Sequence, residues 1–182
     1  MILKDKVSIV TGGAAGIGKA TVETFAKEGA RVIFCDSNKK LGLKNQEELK
    51  DAGLETFFFH ADVSNEKNVK QLINFVIKKF NRIDTLFNNA GIEQPVTPSH
   101  KVELKTFEKI ISVNLKGVFL CCKNAIPFMM KRKKGTIVNN SSISAFANVG
   151  GNISYASSKG GVMSLTRVLA IEYAKYNIRV NA

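Results

Sequence analysis

Short runs of β-branched and aromatic residues alternate along the chain with longer segments whose apolar side chains recur every three or four positions. "KVSIV" at 6–10, "RVIFC" at 31–35, "ETFFFHA" at 55–61, "IDTLFNNAG" at 83–91, "TIVNNSS" at 136–142 and "NIRVNA" at 177–182 read as strands. Between the first two, residues 16–30 place Val22, Phe25 and Ala26 on one helical face, with Gly29 as the stop. Residues 41–53 form a polar helical pattern ended by Gly53. In residues 65–80, Val69, Leu72, Ile73 and Val76 share a face and Asn65 is placed to cap it. A long helical region follows from 104 to 131, with Pro127 and "KRKKG" marking its end, and another covers 153–176.

Strand–helix alternation with nearly continuous apolar strands is the pattern of an α/β fold whose parallel sheet is covered on both faces. Right-handed crossovers then give a doubly wound, Rossmann-like sheet. No internal repeat and no Pro/Gly/Ser-rich linker divides the chain, so residues 1–182 read as one domain. The last strand is expected to continue, and no helix follows that would cover its far side.

Composition narrows the class. A hydrophobic fraction of 45% and a charged fraction of 23% are ordinary for a globular domain. No apolar run approaches the roughly 20 residues that span a bilayer. Lys4, Asp5 and Lys6 interrupt what would have to be the apolar core of an export signal. Three cysteines, Cys35, Cys121 and Cys122, lack the spacing of a metal site or disulfide framework. A reducing cytoplasm is the expected compartment. The net charge of +12 comes mostly from scattered lysines, with one cluster, "KRKK" at 131–134. Without interleaved aromatics this reads as a solvated basic surface, or one facing an anionic substrate or acidic carrier, and not as a nucleic-acid site.

"TGGAAGIG" at 11–18 lies between the first strand and the first helix. Such a turn lets backbone approach a pyrophosphate while the helix N-terminus points free N–H groups at it. Glycine-rich turns also occur simply to close a turn. Asp36 ends the second strand, 18 residues after Gly18, where a dinucleotide fold sets a carboxylate against the adenosine ribose. Its other reading is a cap for the following helix. In the ribose role it would repel a 2′-phosphate by roughly 4 kcal/mol per charge pair at about 4 Å and an effective dielectric near 20. That favours NAD over NADP, unless Lys39 and Lys40 fold back.

Tyr155 and Lys159 stand four positions apart in "YASSK", hence on one helix face. A phenol is a poor base at neutral pH, and a neighbouring ammonium favours its ionised form. Taken alone, the pair also fits an exposed aromatic beside an exposed lysine.

With this pair added, the chain resembles the short-chain dehydrogenase/reductase family along nearly its whole length. The matches run in order: "TGGAAGIG", Asp36, "ADV" at 61–63, "NNAG" at 88–91, Asn114 in "SVNLKGVF", "IVNNSS" at 137–142 and "YASSK" at 155–159. The resemblance implies Tyr155 as general acid/base and Lys159 as the cation that favours its phenolate and holds the nicotinamide ribose. It implies Ser142, 13 residues before Tyr155, as the donor to the substrate oxygen, with Ser141 as the other candidate. Asn114 would anchor a water in a proton relay; otherwise it is an N-cap or helix-bend residue. Gly12, Gly16, Ile17 and Gly18 would hold the pyrophosphate, Asp62 and Val63 the adenine, and Asn89, Ala90 and Gly91 the cofactor riboses. Ala15 stands where a basic residue often marks NADP binding, in keeping with NAD. His60 and His100 read as packed or surface residues.

The resemblance further implies a small alcohol or ketone as substrate, no nucleic acid or membrane partner, and a homotetramer built on the long helices after strands four and five. Relatives continue beyond "IRVNA" with a Pro-Gly turn and a helix–strand unit that shapes the substrate pocket. That C-terminal unit is missing here, so the sequence reads as truncated. Two further readings stay open: a 3-oxoacyl-[acyl-carrier-protein] reductase, suited to the basic surface, and a non-catalytic dinucleotide-binding scaffold. The joint presence of Tyr155, Lys159, Ser142 and Asn114 argues against the scaffold.

Overall fold

Val7, Ile9 and Val10 have no exposed surface, and the strand that carries them, β1 (Val7–Thr11), is buried along its whole length. A strand buried on both faces can sit only inside a layered fold. The computed structural model describes residues 1–148 and 150–182, and β1 lies in the middle of its single parallel sheet. The other strands are β2 (Arg31–Asp36), β3 (Thr56–His60), β4 (Thr85–Asn88), β5 (Gly135–Asn139) and β6 (Ile178–Asn181). Their spatial order is β3-β2-β1-β4-β5-β6, so the chain winds outward from β1 in one direction and then the other. Ser8 pairs with Val32 on one side and Thr85 on the other.

Helices α1 (Gly16–Lys27) and α2 (Lys39–Asp51) cover one face, packing Val22, Ala26 and Leu49 against Val10, Val32 and Phe34. On the other face, α3 (Glu66–Phe80) buries Val69, Leu72, Ile73 and Val76, the set its periodicity predicts. The Asn65 side chain accepts from the amides of Lys67 and Asn68, capping α3 as the sequence leads one to expect. α5 (Gly117–Arg132) and α6 (Ile153–Tyr173) pack on that same face through residues such as Cys121, Met129 and Val162. Over β4, β5 and β6 burial alternates: Leu86, Ile137 and Val180 are buried, whereas Phe87, Val138 and Thr136 on the α1 side are half-buried.

The long helical region departs from its expected form. It divides into α4 (Leu104–Ile111), a wide π turn at Ser112–Lys116, and α5. Pro127 lies inside α5 instead of marking its end; the helix runs to Arg132, and Lys133 closes it with a φ of 49°. A proline removes one backbone donor, and here the apolar face of Ala125, Ile126 and Met129 carries the helix past it. Strand β4 is also shorter than expected. The Thr11 hydroxyl accepts from the amides of both Asn89 and Ala90 at 3.0 Å, turning the chain off the sheet after Asn88.

Candidate active site

The glycine turn leaves β1 beside the end of β4, at the point where the strand order reverses. Gly12 has a φ of +64°, and a Cβ on it would lie 2.8 Å from the Ala90 Cα. A Cβ on Gly18 would run into the Gly12 carbonyl oxygen. The turn, the first turn of α1 and Ala90 are therefore packed backbone to backbone. In front of Gly16 the space is open, with nothing within 4 Å of where its Cβ would stand. Ala15 precedes α1 and offers no side-chain cap. Among the described residues no side chain accepts from the first-turn amides of α1, and these border a cleft, the arrangement that suits a phosphate group.

Asp36 does not cap α2; Asn38 does, accepting from the Leu41 amide at 3.1 Å. Asp36 Oδ2 accepts instead from the Ala14 amide at 3.1 Å, and Oδ1 from the Asn38 amide at 2.9 Å. The carboxylate braces the glycine turn and stays half-exposed on the cleft wall. A cavity of about 400 Å³ brings Gly12, Asp36, Asp62, Val63, Ala90 and Gly91 together. Asp62 is exposed and accepts from the Ser64 amide and hydroxyl at 2.8 and 2.7 Å. Asn89 Nδ2 donates to the carbonyls of Thr11 and Gly12, and its Oδ1 accepts from Asn140, so it ties β1, β4 and β5 together at the cleft floor. Cys35 also lines this cavity, but burial pushes its thiol up to about 12, which makes it inert.

An adjoining cavity of about 350 Å³ is lined by Gly16, Ile17, Gly91, Tyr155 and Lys159, with Glu93 and Asn140. Tyr155 and Lys159 share a face of α6, and the Lys159 ammonium lies 5.5 Å from the centre of the Tyr155 ring. Lys159 is only 4% exposed, and its Nζ donates to the Asn140 carbonyl at 2.6 Å. Burial pushes the pKa of this ammonium below its usual 10.5, and the Glu93 carboxylate acts in the opposite direction. Asn114 is fully buried in the π turn that interrupts the helix between α4 and α5, so it fits the helix-bend reading and caps no helix. Its Oδ1 accepts from the Ile92 amide at 2.8 Å; its Nδ2 donates to the Ile92 carbonyl at 2.9 Å and to Ser158 Oγ at 3.2 Å. A Cβ on Gly91 would lie 3.5 Å from Asn114 Oδ1 and 3.6 Å from Lys159 Nζ, so the two side chains bracket one glycine.

The two serines separate by their bonds. Ser141 Oγ donates to the Lys159 carbonyl at 3.2 Å, which commits its proton. Ser142 Oγ accepts from the Ser144 amide at 3.2 Å, which leaves its proton available. Ser142 lines a third cavity, of about 530 Å³, with Phe87, Val138, Ile143, Phe146 and Met163. Asn140 lies on the wall of both this cavity and the one holding Tyr155. Neither His60 nor His100 lines any of the three; His60 Nε2 lies 3.1 Å from the Ser37 carbonyl. Sequence reasoning missed Gln94. Its Oε1 accepts from the Ser154 amide at 2.9 Å and its Nε2 donates to the Gly151 carbonyl at 3.3 Å, joining the loop after β4 to the start of α6. Nothing in the local pattern "IEQPV" marks a partner 60 residues away.

The family description "short chain dehydrogenase" matches residues 6–182. The chain belongs to the short-chain dehydrogenase family. Among curated relatives, an uncharacterised oxidoreductase of Bacillus subtilis is 42% identical over 180 residues, covering 99% of this chain and 66% of its own. Levodione reductase of Leifsonia aquatica is 38% identical, with 98% of this chain and 67% of its own covered. A solved short chain dehydrogenase from Mycobacterium smegmatis superposes with a TM-score of 0.95 at 33% identity, covering 100% of this chain and 76% of that one. This short-chain dehydrogenase therefore spans about two thirds of the length of the curated relatives it matches. Among its described residues no helix is long and apolar enough to cross a membrane.

Proposed function

We propose that this protein is a NAD-dependent oxidoreductase that interconverts a secondary alcohol and its ketone, with Tyr155 as the general acid/base. The observation that carries the reading is the buried Lys159 ammonium beside the Tyr155 ring, on the wall of the cleft that begins at the glycine turn. The nicotinamide group, when bound, supplies or accepts the hydride. Gly12, Gly16, Ile17 and Gly18 hold the pyrophosphate, Asp36 the adenosine ribose, Asp62 and Val63 the adenine, and Asn89, Ala90 and Gly91 the neighbouring riboses. Tyr155 gives its phenolic proton to the carbonyl oxygen during reduction and takes one from the hydroxyl during oxidation. Lys159 sets its ammonium beside the Tyr155 ring and has donors left over after Asn140 to reach a ribose. Ser142 uses its available proton to hold the substrate oxygen. Asn114 has one acceptor lone pair left on Oδ1 to anchor a relay water.

The oxidoreductase names of the relatives support the reaction class. We further read the protein as cytoplasmic, in keeping with three buried free thiols, and as a homotetramer assembled through α5 and α6.

The test is a nicotinamide absorbance screen against a panel of secondary alcohols and ketones, followed by Tyr155→Phe. Turnover in the variant is expected to fall by roughly a hundredfold or more, the usual weight of a positioned acid/base. Dinucleotide affinity is expected to hold. A variant with near-normal kcat removes Tyr155 from the mechanism.

A further inference from the structure

Tyr155 lies in the first turn of α6, where helix amides have no partner within the helix. Asn152 occupies the N-cap position but makes no side-chain cap bond. The bond comes from elsewhere in the chain, since the Ser154 amide donates to Gln94 Oε1 at 2.9 Å. Gln94 Nε2 and the Thr97 amide both donate to the Gly151 carbonyl, at 3.3 and 2.8 Å. Val96 packs close over Gly151, where an added Cβ would come within 2.6 Å of Val96 Cγ1. The loop after β4 is thereby stapled to the segment that leads into α6.

The same stretch of loop also controls the far side of the Tyr155 peptide. Asn114 holds the amide and carbonyl of Ile92 and donates to Ser158 Oγ, which in turn donates to the Tyr155 carbonyl at 2.6 Å. Tyr155 is therefore gripped before its amide through Gln94 and after its carbonyl through Ser158, and both grips trace to Ile92–Gln94.

We propose that Gln94 is a positioning residue for Tyr155: its side-chain amide substitutes for the missing N-cap of α6 and fixes the tilt of the turn that carries the phenol. This rests on Tyr155 being the acid/base. The lever is long, because the phenolic oxygen stands at the end of a rigid ring anchored in that turn. A misplacement of about 1 Å at a reacting group costs on the order of a hundredfold in rate.

Gln94→Leu removes both bonds. Gln94→Glu keeps an acceptor for the Ser154 amide, in a place the helix dipole favours for a carboxylate, and removes only the donor to Gly151, which Thr97 still serves. In Gln94→Leu, amide hydrogen exchange at 154–156 is expected to quicken about tenfold or more, with exchange in β1 and β4 unchanged. Its kcat is expected to fall roughly tenfold to a hundredfold, while KM for the dinucleotide stays at the wild-type value. Gln94→Glu is expected to restore protection and most of kcat. Unchanged exchange in Gln94→Leu, or wild-type kcat in that variant, overturns the proposal. So does an equal loss in Gln94→Glu. A wild-type chain without turnover on any alcohol or ketone overturns the acid/base reading, and with it the positioning role; the exchange measurement still decides the clamp.

Discussion

At the scale of single residues, the carboxylate of Asp36 has two tasks that a simple truncation confuses. It accepts from the Ala14 amide in the glycine turn, and it puts a negative charge on the cleft wall. Alanine removes both; Asp36→Asn keeps an oxygen acceptor for the turn and removes the charge. The group is half-exposed, so the full Coulomb term is screened, leaving roughly 1–2 kcal/mol against a 2′-phosphate. In Asp36→Asn the ratio of kcat/KM for NAD over NADP is expected to drop about tenfold, since 1.4 kcal/mol is a factor of ten. An unchanged ratio means that Asp36 does not select the cofactor. The residue types of this site were legible in the sequence because each fits one demand at one spacing: small at the turn, acidic at the end of β2, phenol and amine one helical turn apart. The bonding of Ser141 and Ser142 was not, because two adjacent hydroxyls differ only in the partners that a folded chain presents.

Secondary-structure elements are held in register by side chains at their ends, and Asp84, just before β4, is the clearest case. Burial raises its carboxyl pKa. The Arg82 guanidinium, the Val7 amide and Arg132 outweigh that and bring it to about 2. The bonds are 2.8 Å from both Arg82 nitrogens, 2.8 Å from Val7 and 2.9 Å from Arg132. They tie the start of β1 to the start of β4 and the end of α5. A carboxyl whose folded pKa lies below its unfolded value of about 4 stabilises above pH 4, and the effect is lost as pH falls toward 2. Asp84→Asn is expected to cost about 2 kcal/mol at pH 7, the linkage value of a carboxyl pKa held near 2 instead of about 4. The gap to wild type is expected to shrink between pH 4 and pH 2. Thermal denaturation at pH 7 and pH 2.5 measures both values, and a gap independent of pH would detach Asp84 from the charge argument.

For the whole molecule, the outward faces of α5 and α6 leave apolar side chains uncovered. Phe119 is 47% exposed, Val168 50% and Ile171 80%. Pairing these faces with a second copy would bury them, as the proposed tetramer requires. Sedimentation velocity is expected to show a species of four times the monomer mass, and Ile171→Asp to break it down to smaller ones. A monomer at micromolar concentration ends that assignment. The doubly wound sheet was legible because alternating strand and helix periods admit few other layered solutions. The helix between β4 and β5 was harder to read. Its apolar spacing gives one continuous run, and only packing against α6 reveals the interruption. Leu115 there meets Gly161 so closely that a Cβ on Gly161 would lie 2.7 Å from it.

That interruption constrains how this gene can drift. A π turn holds one residue more than a regular helical turn, and each residue rotates a helix by about 100°. Loss or gain of a single codon between α4 and α5 would swing Asn114 away from Ile92, or else turn the buried face of α5 toward water. Point changes on the outer surface of this region cost little. Length is the property selection has to guard.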